Sequence, residues 1–491
     1  MLFNSIEFML FLPIVFLLYW YVFNYSLKLQ NIFIVFVSYI FYGWWDWRFL
    51  YLIAFTSFLS WSSGILMGII RKKRLEEAKE RKCCRIITFL NIIINLLILG
   101  IFKYYDFFVN SLIEALGSIG ITLQASSLNL VLPVGISFYT FQALSYSIDV
   151  YRRTLEPTKD IVSFFAYVSF FPQLVAGPIE RATNLLPQFY KRRVFDYSKA
   201  VDGMRQMLWG FFKKIVIADN CASMVNTIFD NYKEQSSLLL LVGALLFTFQ
   251  IYGDFSGYSD IAIGSARLFG IELRKNFHFP YFSRDIAEFW RRWHISLNTW
   301  FRDYVYIPLG GSRCGKLKRI RNTMIIFTLS GLWHGANWTY LGWGVFHGLL
   351  FLPLLLSNRN RKHLEIVASG RVLPSFSEGL KMLITFFLVV IGWVIFRAET
   401  IQQAFDYLLR MFGNIGKVDW NTLPFSRINL LVTICFIVVL MLTEWIQRNK
   451  EHALDLSYCK SPFLRWGIYV MLIASMFVFP GKEETFIYFQ F

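Results

Sequence analysis

The chain has 491 residues, 56% of them hydrophobic, 19% aromatic and only 16% charged. A soluble chain carries about 25% charge, so too few charges remain here to cover a water-facing surface. That excludes a disordered protein, a collagen and a string of soluble domains, and indicates one all-α polytopic integral membrane domain spanning residues 1–491. Lys and Arg outnumber Asp and Glu by 49 to 32, a formal net charge of +17. In a membrane protein that excess belongs in cytoplasmic loops. Nonspecific phosphate attraction does not explain the apolarity, so nucleic acid is not an expected partner. None of the six cysteines forms a CxxC pair, and no spacing suits a metal or a disulfide framework.

The N-terminal run MLFNSIEFMLFLPIVFLLYWYVF lacks a basic n-region and a small-residue cleavage site. Residues 9–23 are therefore expected to stay as the first membrane helix. A span needs about 20 apolar residues. Further spans are expected at 29–44, 49–70, 86–102, 128–150, 237–252, 384–396, 429–445 and 464–479, with a weaker one at 204–218 interrupted by Lys213 and Lys214. The basic loop 71–85, RKKRLEEAKERKCCR, is expected in the cytoplasm. Counting back three helices places the N-terminus outside, and counting forward places the loop 103–127 outside. Both termini are expected to be extracytoplasmic. The segment 161–190 dips in and returns, broken at FPQLVAGP, where Glu180 and Arg181 order the turn. The polar stretch 253–322 lies on the cytoplasmic side. The apolar stretch 323–356 is basic on both flanks, which requires an even number of crossings; it has room for two short helical arms but hardly two full spans, with GLWHGANW between them.

Polar residues inside such a chain are functional suspects. His334 leads, in SGLWHGANWTYLGWGVFHG. Small neighbours let backbones approach closely and leave room for a substrate, and a neutral imidazole can take up a proton at working pH. A structural, hydrogen-bonded histidine is the bland alternative. His347, thirteen residues on, does not stack on it by helical period. His294 lies in AEFWRRWHISLNTWFRDYVYIPLGG. Read as one amphipathic interfacial helix with an aromatic belt, this stretch puts Trp290, His294 and Asn298 on one face, ends at Pro308, Gly310 and Gly311, and offers Arg291, Arg292 and Arg302 to phosphates. Arg291, Arg292, Trp293, Asn298, Arg302 and Asn337 are the candidate donor contacts. QIYGDFSGYSD, with Asp254, Ser256 and Asp260, reads as a helix break lining a polar cavity.

The motifs SFYTFQALSYSIDVYR, FFPQLVAGPIER, DFSGYSDIAIGSARLFGIEL, FWRRWHISLNTWFRDYVYIPLGG, GLWHGANWTYLGWGVFHG and the terminal FIYFQF resemble the membrane-bound O-acyltransferase (MBOAT) family. They are most similar to its bacterial alginate O-acetyltransferase branch, with the densest signal at 134–348. The resemblance implies about 10–12 transmembrane helices with re-entrant and interfacial segments around a central tunnel. It implies that His334, in the WHG motif, and His294, in the RRWHISL motif, are the catalytic pair.

It also implies a bacterial inner-membrane enzyme with no bound cofactor. That enzyme would move an acyl group, usually acetyl, from a cytoplasmic thioester to an extracellular polysaccharide such as alginate, beside an extracytoplasmic esterase-like partner protein. The donor is acetyl-coenzyme A or a carrier-protein thioester. Two alternatives stand beside this: D-alanyl transfer to teichoic acid, and a transporter without acyl chemistry. The paired, interrupted halves of many transporters are not seen in the sequence.

Overall fold

The computed structural model of the chain describes residues 1–73, 75–122, 127–175, 177–413 and 424–487. The last four residues of FIYFQF lie outside them. Every regular element among the described residues is helical, because lipid permits only helices or closed barrels to satisfy the backbone internally. Among the described residues, six helices are long and apolar enough to cross a bilayer, and three shorter apolar helices accompany them. The fold is that of an all-α multi-pass membrane protein. The chain divides into two compact units, 1–200 with 265–274 and 201–264 with 275–491.

The first unit contains α1 (Ile6–Leu17), α2 (Leu27–Gly43), α3 (Leu50–Lys72), α4 (Glu77–Ser118), α5 (Ile136–Tyr151) and α6 (Ile161–Ser169). All lie near expected apolar runs, but α4 overruns its prediction at both ends. Its 42 residues extend roughly 60 Å, so much of the expected loops 71–85 and 103–127 is helix. The polar start is held by Glu77 and Arg81, paired at 3.1 Å in i,i+4 register, and by Glu80, which accepts from Arg153 at 2.6 Å. Phe89, Leu97 and Phe108 on α4 are more than half exposed, an apolar face suited to lipid. The opposite face is polar: Asn91 donates to Ser147 at 2.7 Å, and Ser147 meets Ser63 at 2.6 Å. Such bonds between helices hold membrane bundles together where the hydrophobic effect is weak. As expected, the helix after 161 breaks near FPQLVAGP: α6 stops at Ser169, and short helical turns follow at Phe171–Leu174, Ala182–Leu185 and Leu186–Phe189.

The second unit takes in most of α7 (Tyr197–Phe212) and α9 (Ser237–Leu268), with α8 (Asp219–Asp230) between them. QIYGDFSGYSD is not a break; α9 runs straight through it. Its glycines serve close packing. A Cβ on Gly257 would lie 2.8 Å from the carbonyl oxygen of Gly210 on α7. Nor do Asp254 and Asp260 line a polar cavity; each faces a lysine.

Between α7 and α8 the chain winds as a π-helix, Lys213–Ala218. The added residue per turn helps bring both neighbouring lysines inward. Lys213 pairs with Asp260 at 2.5 Å; Lys214 pairs with Asp219 at 2.7 Å and Asp254 at 2.9 Å. Of these five side chains, all but that of Asp260 are almost fully buried. The same groups tie down the chain end: Lys214 donates to the Glu484 carbonyl at 2.9 Å, and Asp254 accepts from the Ile487 amide at 2.7 Å.

The rest comprises α10 (Ile286–Arg292), α11 (Ile295–Phe301), α12 (Lys316–His334), α13 (Trp338–Leu356), α14 (Phe376–Arg397), α15 (Ile401–Gly413), α16 (Arg427–Ile446) and α17 (Pro462–Val478). The stretch 323–356 departs from expectation in length. α12 reaches back to Lys316, so each arm has 19 residues, roughly 28 Å, close to a full span.

Breaking a buried ion pair strands a charge and costs about 3–5 kcal/mol. Lys214→Met should therefore lower the thermal midpoint of the detergent-solubilised protein by that equivalent. Adding Asp219→Asn and Asp254→Asn should restore most of it. A single variant as stable as the unsubstituted chain would contradict the pairing.

Candidate active site

The site lies within the second unit and is built on two corners. The first is the turn of the α12–α13 hairpin. Gly331 sits where a Cβ would overlap the Tyr340 carbonyl, so the arms touch backbone to backbone. His334 ends α12 and is buried. Trp333, Trp343 and Phe396 pack edge-on around its ring at 5.1, 5.1 and 5.4 Å between centroids. Asn337 caps α13 through Thr339 N at 3.0 Å and donates to the Glu399 carbonyl at 2.9 Å. It shapes the turn.

The second corner corrects the sequence reading. The stretch 287–306 is not one helix, and its aromatic residues are not an interfacial belt: Trp290, Trp293 and Trp300 are buried. The chain breaks between α10 and α11, where His294 adopts a left-handed conformation, φ 43° and ψ 53°. For a residue with a Cβ this costs roughly 1–2 kcal/mol. The segment beside it compensates, with Ile295 N donating to Asn276 O and His278 N to Arg292 O, both at 2.9 Å. Trp290, His294 and Asn298 therefore do not share a helical face. Asn298 instead donates to the carbonyls of Trp290 and Trp293, both at 2.6 Å, closing the end of α10.

His294 is buried, with its Nδ1 3.0 Å from Asn276 Oδ1. The amide of Asn276 donates through Nδ2 to Ser259 at 3.1 Å, while Oδ1 also accepts from Ser296 Oγ at 2.9 Å. That orientation makes Nδ1 the protonated nitrogen and leaves Nε2 the basic one. Burial pushes the His294 imidazole down to about 3, so it is neutral at working pH. Phe255 packs edge-on against it at 4.7 Å, with Phe486 on Phe255 at 5.9 Å. The two imidazoles come together, 6.3 Å between centroids. Asn276 carries no local sequence signal and was missed. His347 lies off the pair: Trp343 stands between it and His334, at 5.1 Å from each.

Close to the pair is a cavity of about 710 Å³ whose lining includes Arg302, Arg319 and Arg361 together with Trp290, Phe327 and Ser330; neither imidazole is part of that lining. Trp290 packs against Trp343 at 5.4 Å, which in turn contacts His334. Of the candidate donor contacts, Arg291, Asn298 and Arg302 line the cavity. Arg291 is engaged by the carbonyls of Asn360 and His363 at 2.6 and 2.7 Å. Arg302 pairs with adjacent Asp303 at 2.6 Å on an exposed rim, a weak contact that an incoming anion can exchange. Arg292 does not line the cavity; Glu288 holds it at 2.9 Å, one turn back on α10. Trp293 lies in the aromatic core against Trp393 at 4.8 Å. Arg319 and Arg361, distant in sequence, were missed.

Buried, oriented imidazoles beside an arginine-rimmed cavity suit acyl transfer by general-base chemistry. The chain belongs to the membrane-bound O-acyltransferase family (MBOAT), which it matches over residues 152–393. It is 40% identical to the probable alginate O-acetylase AlgI of Pseudomonas aeruginosa over 88% of this chain and 78% of that protein. It is also 30% identical to the peptidoglycan O-acetyltransferase of Helicobacter pylori over 100% of this chain and 98% of that one. Similarity to the teichoic acid D-alanyltransferase of Bacillus subtilis is 29%, over 55% of this chain and 70% of that protein. The protein is thus an O-acyltransferase.

With His294 neutral far below pH 5, no limb of the pH–rate profile between pH 5 and 8 should come from it. In Asn276→Asp a carboxylate faces Nδ1 and favours the charged imidazolium, which raises its pKa. A new acid limb should then appear, activity falling as pH drops and Nε2 loses its lone pair. An unchanged profile in an active Asn276→Asp protein would contradict the oriented-imidazole account.

Proposed function

We propose that the protein takes an acetyl group from a cytoplasmic thioester and delivers it across the bacterial inner membrane for O-acetylation of an extracellular polysaccharide such as alginate. The observation that carries this is the approach of two buried histidines beside an arginine-rimmed cavity. His334 acts as general base on the acceptor hydroxyl. His294, fixed by Asn276, orients the reacting groups. The aromatic shell excludes water and so protects the thioester from hydrolysis. Acetyl-coenzyme A suits the cavity: its phosphates meet Arg302, Arg319 and Arg361, and its thioester end reaches the apolar wall. An extracytoplasmic esterase-like protein completes transfer to the sugar. D-alanyl transfer is less favoured, because that likeness covers much less of the chain than the two O-acetylating relatives do.

His334→Gln retains hydrogen bonding and most of the volume but takes up no proton at working pH. Acetyl content of the exported polysaccharide should fall by roughly 10²–10⁴-fold, with the protein present in the membrane at its usual level. Near-normal acetylation by this variant would reject the general-base role.

The topology that supports this direction of transfer has both termini outside and the basic loop 71–85 inside. In a chain freed of native cysteines, Lys79→Cys and Lys482→Cys should be labelled by an impermeant reagent from opposite sides of the membrane. Labelling of both from one side would overturn it.

A further inference from the structure

Two residues that line the cavity carry polar groups that the roles above leave unused. Trp290 and Ser330 both line it, and both are more than nine-tenths buried, at 7% and 5% exposure. Neither Nε1 of Trp290 nor Oγ of Ser330 has a hydrogen-bond partner among the described residues. Burying a donor without a partner is unfavourable, and two in residues that line one cavity near an active site need a reason. Trp290 comes from α10, four residues before His294. Ser330 lies on α12, one helical turn before His334, which sets their Cα atoms about 6 Å apart.

That spacing allows the following arrangement. A carbonyl oxygen held by Ser330 places its carbon about 4 Å from Oγ. A hydroxyl attacking that carbon then lies within reach of the His334 ring, with each hydrogen bond near 3 Å. We propose that Ser330 Oγ–H and Trp290 Nε1–H are the hydrogen-bond donors that receive the thioester carbonyl oxygen as negative charge builds on it. This rests on the thioester-donor reading above and adds to it the groups that stabilise the transition state.

The step balances. The acceptor hydroxyl oxygen bonds to the thioester carbon as its proton passes to His334. The carbonyl π pair moves onto oxygen, where Ser330 and Trp290 bind it. On collapse the C=O bond re-forms and the C–S bond breaks. The leaving sulfur takes that pair and the proton from His334, giving a free thiol and an acylated oxygen.

The test uses the purified full chain in lipid nanodiscs with acetyl-coenzyme A as donor and the exported polysaccharide with its partner protein as acceptor, reading thiol release. Turnover by the unsubstituted chain comes first; its absence would reject the donor reading, and this proposal with it. Given turnover, Ser330→Ala should lower kcat by ~10²-fold with KM within about two-fold, the loss seen when one oxyanion donor is removed. Trp290→Phe should act likewise. Ser330→Cys keeps a weak donor and should recover part of the loss. A rise in KM alone would mean that these groups bind another part of the donor, and would overturn the assignment while the donor reading stands. So would an unchanged kcat in Ser330→Ala, or equal losses in Ser330→Ala and Ser330→Cys.

Discussion

The bond between His294 and Asn276 is the constraint on which the second unit's site depends. One amide must accept from the imidazole and from Ser296 while donating to Ser259. Ser259 is on α9, Asn276 on the segment after it, and His294 and Ser296 on the α10–α11 corner. Satisfying that amide therefore fixes three elements at once, and fixes which imidazole nitrogen is basic. A left-handed backbone at His294 is tolerated because bonds from both sides hold it. The hairpin supplies the second histidine independently, through close glycine packing and the Asn337 bonds at its turn.

Charge is handled in two ways that match depth. Lys213 and Lys214 are buried and face carboxylates, as groups taken out of water must be. Arg302 at the cavity is different: its side chain is more than half exposed and pairs with the adjacent Asp303. A buried pair holds the fold and resists exchange, whereas an exposed arginine is open to trade one anion for another. The positive excess of this chain thus divides into a structural part and a part able to meet a ligand.

Much of this was legible in the sequence, because long apolar runs and the doubly basic-flanked stretch around WHG follow directly from bilayer thickness. His334 and His294 stood out as polar groups in apolar surroundings. What failed were inferences that need a distant partner. Gly253 and Gly257 suggested a break, since a glycine that opens a turn and one that admits a neighbouring backbone look the same until the neighbour is known. The helical period through Trp290, His294 and Asn298 is continuous in sequence, yet the residues at 276–278 interrupt it. The pairing of Arg292 is legible in the sequence, because Glu288 sits four residues before it. Glu77 and Arg81 likewise announced the early start of α4. Asn276, Arg319 and Arg361 could not be found, as only the fold brings them to the site.

The central claim is that a thioester donor enters at the arginine rim and places its acyl carbon at the paired histidines. The most direct measurement is the structure of the full chain bound to a non-hydrolysable thioether analogue of acetyl-coenzyme A. The account predicts phosphates among Arg302, Arg319 and Arg361, with the acyl end within hydrogen-bonding reach of His334. An analogue bound with its acyl end away from both histidines, or seated outside this cavity, would contradict it.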